Sequence, residues 1–192
     1  MGVVQKIFYI HLPLAWWGFV SFFLVFAASC AYLWQKREKF DIVAQAAAEI
    51  GVLFTTLVLA TGMLWARASW NTWWTWDPRL STALVLWFIY AGYLVLRGTD
   101  AGGEKRKTLS AVLGVVGFLD VPLVFLSARF MRSIHPAVFA SREGGLPPEM
   151  WVAVLVSLAA WGLLFGALLL ARFEQLRSRS RIDALIARRA YR

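Results

Sequence analysis

The chain has 192 residues, of which 60% are hydrophobic and 16% are charged, and its formal net charge is +9. About 25% of the residues of an average soluble domain are charged, so this composition excludes an ordinary soluble domain. The basic residues are divided among several loops and the C-terminal tail, which indicates a membrane orientation signal and argues against a nucleic-acid surface.

Five apolar segments are long enough to cross a bilayer as helices, which takes about 20 residues each. In chain order they cover residues 12–34, 42–65, 80–96, 109–127 and 150–171. The sequence therefore predicts an all-α fold, a polytopic transmembrane helical bundle with five spans that forms a single domain over residues 1–192. No small-residue cleavage site precedes the first span, so we expect no cleavable signal peptide.

The segments between the spans differ in their content of lysine and arginine. The loops 35–41 and 97–108 and the tail 172–192 together hold 14 basic residues, whereas the segments on the other side hold six. Because basic residues in short loops favour the cytoplasm, we predict an outer N-terminus, a cytoplasmic C-terminus and two outer loops, 66–80 and 128–149. The basic cytoplasmic tail suits contact with anionic lipid.

Both histidines of the chain lie on the predicted outer side. His11 is at the outer end of the first span, in YIHLPLAWW, and His135 follows the fourth span, in SARFMRSIHPAVF. Pro13 and Pro136 come just after them, so we expect each histidine near an edge of, or a break in, regular structure. Either histidine alone would be an ordinary interfacial residue, but two remote imidazoles on one side could also ligate the two faces of a haem iron. The spacing leaves both interpretations open.

The outer loop 66–80 contains the run WNTWWTWDPRLS, with four tryptophans in twelve residues. An aromatic belt at the membrane–water interface explains scattered tryptophans well and so dense a run less well. If the run is helical, Trp70, Trp73, Trp74 and Asp77 share one face and form an apolar surface on which a porphyrin could stack.

Charged residues near this run suggest further roles. Asp77 before Pro78 suits an N-cap of the third span. Arg79 could pair with a carboxylate of an anionic ligand such as a haem propionate. Arg129 and Arg132, shortly before the second histidine, could do the same.

Two acidic residues fall inside predicted spans, Glu49 in the second and Asp120 in the fourth, two residues before Pro122. A carboxylate is costly in the hydrocarbon region, so we expect both to face other helices. For Asp120 we favour a structural role at a kink beside Pro122 over a proton path, because no chain of ionisable groups crosses the bilayer.

The run WNTWWTWDPRLS resembles the WWD signature of the haem-handling membrane proteins of cytochrome c biogenesis, the CcmC, CcmF and CcsA family. The chain is most similar to the CcmC type, whose motif continues Trp-Asp-x-Arg-Leu-Thr/Ser, and less to the CcsA type, which continues Trp-Asp-Pro-Lys-Glu. The segments YIHLPLAWW and DVPLVFLSARFMRSIHP resemble the flanks of the motif, so the resemblance covers nearly the whole chain. Two features depart from the family: Asn71 stands where glycine is usual, and five spans are predicted where six are usual.

The resemblance implies that the protein binds haem b at the outer, periplasmic side of the cytoplasmic (inner) membrane, with its two histidines as axial ligands of the iron. The haem would then be delivered to a membrane-anchored haem chaperone for c-type cytochrome maturation, with ABC-type transporter subunits as further partners. The residues expected to bind the cofactor are His11, His135, Trp70, Trp73, Trp74, Trp76, Asp77, Arg79, Arg129 and Arg132. Such a protein is not an enzyme; the alternatives are a subunit of a cytochrome c haem lyase or synthetase, and a transmembrane haem transporter.

Overall fold

The computed structural model describes residues 3–99, 103–131, 133–135 and 146–190. These residues form a short 3-10 turn, Val3–Ile7, followed by six α-helices. The helices are α1 (Phe8–Gln35), α2 (Glu38–Trp70), α3 (Pro78–Arg97), α4 (Gly103–Gly117), α5 (Asp120–Phe130) and α6 (Pro148–Ala190). No strand occurs in the described ranges, and the predicted all-α fold is confirmed.

Five helical stretches are long and apolar enough to cross a membrane, which confirms the predicted number of spans. The stretches are Val4–Gln35, Glu38–Trp70, Pro78–Arg97, Gly103–Ser127 and Pro148–Arg189. Each one extends beyond its predicted apolar segment at one or both ends, because polar residues there continue the helix. Their orientation in the membrane remains a prediction from the basic residues.

The last helix shows the largest extension. α6 has 43 residues, which at about 1.5 Å per residue gives a length of about 65 Å. The hydrocarbon core of a bilayer is only about 30 Å thick, so the basic tail continues the last span as one helix beyond it. Ser180 of this tail donates a hydrogen bond of 2.7 Å to Glu38 at the start of α2.

α1 and α2 form an antiparallel hairpin with a turn of two residues. α1 ends because Lys36 adopts a left-handed conformation, with φ of 52°, and its N–H donates to the carbonyl of Tyr32 at 2.8 Å. Arg37 is extended, and α2 then begins with Glu38 and Asp41 in its first turn, where acidic side chains favour a helix N-terminus. The short turn places the first residues of α1 opposite the last residues of α2.

Close packing between helices depends on small residues facing aromatic ones. Gly51 of α2 faces Phe22 of α1, and a Cβ atom at position 51 would come within 2.6 Å of the Phe22 ring. The same ring stacks on Tyr90 of α3, with 3.9 Å between centroids. Because lipid is as apolar as these side chains, helices in a bilayer associate through such close packing. The α1–α2 hairpin with α3 against it therefore forms the centre of the bundle.

The described residues near the α1–α2 turn include three ion pairs between helices, one of them between Lys107 of α4 and Glu38 of α2 at 3.9 Å. Arg97 of α3 makes two contacts of 2.7 Å with the carboxylate of Asp41 of α2, and each side chain is only 7% exposed. Glu49 of α2 forms an ion pair with Arg172 of α6. The expectation that Glu49 faces another helix is confirmed, and its role is to join α2 to the last span.

The fourth span bends where Gly117 ends α4 and Asp120 begins α5. The N–H of Val121 donates to the carbonyl of Phe118 at 3.0 Å, which is the tighter spacing of a 3-10 turn. Pro122 follows and has no N–H to continue the α-helical pattern. Asp120 is buried here, as expected of a carboxylate that faces other helices, and its structural role remains a prediction.

Candidate functional site

The two histidines meet at the end of the bundle opposite the ion pairs. The ring centroids of His11 and His135 are 6.3 Å apart, and the ring planes are inclined at 34°. Metal–imidazole bonds of about 2 Å place the ring centroids of two axial ligands about 6 Å apart. The separation therefore fits one metal ion between the two rings, although the ligand role itself remains a prediction.

The two imidazoles of this pair suit a metal ion that is already bound by another group. Among the described residues, no group of three or more histidine, cysteine, aspartate or glutamate side chains lies together as a metal site would require. A structural zinc site takes four protein ligands and a catalytic one takes three. Two imidazoles suit instead an iron whose remaining ligands come from a macrocycle, as in haem.

α1 and the last turns of α2 hold His11. Its Nδ1 atom lies 2.9 Å from Oγ1 of Thr61, and a Cβ atom at Gly62 would come within 3.3 Å of the His11 ring. Pro13 does not interrupt α1, so no helix break occurs at His11; His11 is the fourth residue of α1 and lies near the edge of the helix, as predicted. Pro13 is the sixth residue of α1 and lies inside the helix, so the carbonyl of Tyr9, four residues earlier, lacks the N–H donor that another residue would supply.

Asp77 holds the segment that carries the second histidine. Its Oδ1 atom accepts hydrogen bonds from Ser133 Oγ and from the N–H of Arg79, both at 2.9 Å, and its Oδ2 atom accepts from the N–H of Ile134 at 2.8 Å. The N–H of His135 donates in turn to Ser133 Oγ at 3.1 Å. Asp77 is also the N-cap of α3, with Pro78 as the first helical residue, as predicted. The end of the Trp-rich loop is thereby joined to the residues next to His135.

These hydrogen bonds also set the charge of Asp77. Burial alone would raise the pKa of this carboxyl, but the hydrogen bonds from Ile134, Ser133 and Arg79 outweigh it and hold the pKa below its ordinary value. Asp77 is therefore ionised at neutral pH. Both of its oxygens are occupied by groups of the chain, so it serves the candidate site by positioning His135.

The Trp-rich segment between α2 and α3 is not helical. α2 ends at Trp70, and Asn71 adopts a left-handed conformation with φ of 56°. Arg67 Nη1 donates to both the carbonyl and the side-chain oxygen of Asn71, at 2.8 and 2.7 Å. The shared helical face that a continuous helix would give Trp70, Trp73 and later residues does not form. Asn71 takes the position where glycine is usual after a helix, and asparagine is among the few residues that tolerate it.

Two edge-to-face pairs of tryptophans lie at the end of α2 and in the segment after it. Two of the tryptophans in that segment are exposed. Trp65 and Trp70 lie 4.9 Å apart between centroids, and Trp74 and Trp76 lie 6.0 Å apart. Trp73 is 54% exposed and Trp76 is 80% exposed. An apolar aromatic surface is therefore present beside the candidate site, built by a loop rather than by a helix face.

Trp17 has a different role from the loop tryptophans. Its Nε1 donates to the carbonyl of Leu158 in α6 at 3.0 Å, and its ring stacks on Phe165 with 5.2 Å between centroids. A Cβ atom at Gly162 would come within 2.5 Å of the same ring. Trp17 therefore packs α1 against α6.

The structure describes the side chain of only one of the three predicted arginines. Arg79, the second residue of α3, is partly buried. The side chain of Arg129 and the whole of Arg132 lie outside the described residues, as do residues 136–145 of the outer loop. The pairing of any of these arginines with a propionate remains a prediction.

Three residues of the candidate site were not predicted: Thr61, Gly62 and Ser133. The contacts of the first two follow from the register of the α1–α2 hairpin, which the two-residue turn fixes; the sequence predicts a longer loop, 35–41, and so does not give this register. Gly18 faces Thr55, Phe22 faces Gly51, and His11 faces Gly62, so each step along α1 is matched by an equal step back along α2. The contact of Ser133 with Asp77 has no local signal in the sequence either.

Comparisons with known proteins show the family of this chain. The family model described as "CcmC: Heme exporter protein C" matches residues 1–188. Heme exporter protein C of Bradyrhizobium diazoefficiens is 36% identical over 184 residues, which cover 94% of this chain and 70% of that relative. Heme exporter protein C of Rhodobacter capsulatus is 33% identical, with 96% and 77% covered. A ccmC-like mitochondrial protein of Marchantia polymorpha, named for cytochrome c biosynthesis, is 27% identical, with 91% and 75% covered. The chain therefore belongs to the CcmC family, as the resemblance of its Trp-rich motif predicted.

Proposed function

We propose that this protein binds haem b at the outer face of the cytoplasmic membrane and delivers it to a membrane-anchored haem chaperone for c-type cytochrome maturation. The observation that carries the proposal is the separation of 6.3 Å between the His11 and His135 rings. It is supported by the membership of a family whose curated relatives are named heme exporters. The outer placement follows from the basic residues of the opposite loops and tail.

The residues of the site have separate tasks in this proposal. Haem supplies an iron with two open axial positions, and His11 and His135 are the ligands that fill them. Asp77 holds the His135 segment through Ser133 and Ile134. Arg79 pairs with a propionate, because a guanidinium binds a carboxylate through two parallel hydrogen bonds.

Hand-off requires that the bound haem remain accessible from outside. The exposed rings of Trp73 and Trp76 offer an aromatic surface at the same end of the molecule, on which the edge of a porphyrin or a partner protein can pack. We propose that the chaperone approaches over this surface. ABC-type transporter subunits of the maturation system are the other proposed partners, and the protein acts as a carrier without catalytic turnover.

The ligand proposal is tested by the absorption spectrum of the haem-loaded protein in detergent. The wild type is expected to show a six-coordinate, low-spin spectrum. His11→Ala and His135→Ala should each convert it to a five-coordinate spectrum, and added imidazole should restore the original bands by filling the vacated position. Spectra that are unchanged in both variants would show that the histidines are not the ligands.

Delivery is tested with the haem-loaded protein and the soluble domain of a haem chaperone from the same maturation system. Covalently attached haem on the chaperone is the expected product, with an equal loss of haem from this protein. If the chaperone gains no haem while the direct acceptor is apocytochrome, the lyase alternative is correct instead.

A further inference from the structure

Thr61 contacts the His11 ring from the neighbouring helix, and the direction of its hydrogen bonds can be assigned. Thr61 Oγ1 lies 2.7 Å from the carbonyl oxygen of Leu57, one turn earlier in α2, and 2.9 Å from Nδ1 of His11. A carbonyl oxygen only accepts, and Thr61 Oγ1 also lies 3.2 Å from the carbonyl of Val58, so we assign its single hydroxyl proton to the backbone, with Leu57 as the nearer acceptor. Towards His11, Thr61 can then only accept.

This assignment fixes the tautomer of His11. Because Thr61 accepts, the imidazole donates, and its proton is on Nδ1. A neutral imidazole has one N–H, so Nε2 carries the free lone pair. That nitrogen is the one able to ligate a metal.

We propose that Thr61 is a positioning residue that holds the His11 proton on Nδ1 and so keeps Nε2 ready to bind the haem iron. The inference rests on the proposed function of the histidine pair. A hydrogen bond to the second nitrogen of a metal-ligating histidine fixes the ring orientation and raises the basicity of the ligand. Gly62 leaves space for the edge of the His11 ring, because a Cβ atom at position 62 would lie 3.3 Å from that ring.

The chain contains a matched control for this position. Thr56, also in α2, donates to the carbonyl of Val52 at 2.7 Å and accepts the ring N–H of Trp87 from α3 at 2.7 Å. It therefore makes the same pair of hydrogen bonds as Thr61, but to an indole instead of a histidine. Thr56→Val removes an equivalent hydroxyl group without touching His11.

The first test uses the protein without haem. Selective ¹⁵N labelling of histidine gives signals from two residues only, and His135→Ala assigns them. We expect Nδ1 of His11 to be protonated in the wild type, in Thr61→Ser and in Thr56→Val, whereas Thr61→Val should shift the population towards the Nε2-protonated tautomer. A wild-type His11 that is protonated on Nε2, or a tautomer unchanged by Thr61→Val, would overturn the proposal.

The second test measures haem affinity and reduction potential. Loss of a hydrogen bond to the second nitrogen of a metal-ligating histidine typically lowers metal affinity by roughly 10- to 100-fold. Thr61→Val should show a loss in this range and a higher potential, because a less basic ligand stabilises ferric iron less. Thr61→Ser and Thr56→Val should stay close to the wild type. Equal affinity and potential for Thr61→Val and Thr56→Val would contradict the role of Thr61.

The two tests separate this inference from the proposed function. If His11→Ala leaves the haem spectrum unchanged, the ligand role of His11 fails, whatever the tautomer. If His11→Ala destroys the six-coordinate spectrum but Thr61→Val changes neither tautomer nor affinity, only the role of Thr61 fails.

Discussion

Replacement of Asp77 by asparagine tests how the His135 segment is held. Asparagine keeps one oxygen, which can still accept from Arg79 N–H and Ser133 Oγ, but its NH₂ group takes the place of Oδ2 and faces the N–H of Ile134. Two donors then face each other, and the hydrogen bond to Ile134 is lost. Hydrogen bonds to a charged group contribute about 1.5–3 kcal/mol each.

This loss can be converted into an expected change in haem binding. A change of about 1.5–3 kcal/mol corresponds to a factor of about 10 to 150 in an equilibrium constant. The equilibrium is between molecules in which the segment next to His135 is hydrogen-bonded to Asp77 and molecules in which it is released. Because ligation by His135 requires the held segment, the haem dissociation constant should rise by up to this factor. Asp77→Ala should have a larger effect, since it also removes the N-cap of α3, which contributes about 0.5–2 kcal/mol.

Haem titration followed by absorbance measures the affinity. Hydrogen exchange of a peptide covering residues 131–135, in the protein without haem, measures how often this segment is released from Asp77. Asp183→Asn, on the exposed part of α6, is the control for an aspartate change elsewhere. Faster exchange at Ile134 together with weaker haem binding is expected only in the Asp77 variants. Wild-type exchange and affinity in Asp77→Asn would refute the role assigned to this carboxylate.

Three further changes test neighbouring parts of the account. Gly62→Ala should displace the His11 ring by a few tenths of an ångström and weaken haem binding, whereas Gly166→Ala, where a Cβ meets nothing within 4 Å, should not; equal affinities would place the haem elsewhere. Arg79→Ala should release haem faster than Arg79→Lys if the guanidinium binds a propionate, and equal rates would indicate a structural role. Asn71→Gly should preserve thermal stability and Asn71→Val should lower it, because a β-branched residue is strained at φ of 56°; an unchanged melting temperature in the valine variant would contradict this.

The number of spans could be predicted because apolar runs of this length have few other uses, but the helix ends could not. The sequence predicts a basic, partly helical tail, but not that the tail continues the last span as one helix to Ala190. Most of the Trp-rich run lies in a loop, within the predicted bounds 66–80. Its spacing suits a helix face, yet Asn71 turns the chain at the end of α2 and the run becomes a loop.

Some features of the candidate site could be predicted from the sequence, and others could not. His11 and His135 could be selected because they are the only histidines and share the predicted outer side. The contact of His11 with Gly62 follows from the register of a hairpin with a two-residue turn, and the longer loop predicted over 35–41 does not give that register. The contact of Asp77 with Ile134 joins two loops through tertiary structure alone, and no local pattern predicts it.

The central claim is that two imidazoles of this chain ligate one iron, and nitrogen hyperfine spectroscopy tests it directly. Protein labelled with ¹⁵N only in its two histidines would be loaded with ferric haem of natural isotope content and measured by electron–nuclear double resonance. We predict strong ¹⁵N couplings from two histidine nitrogens, falling to one in His11→Ala and in His135→Ala. A wild-type spectrum with a single coupled histidine, or with none, would contradict the account.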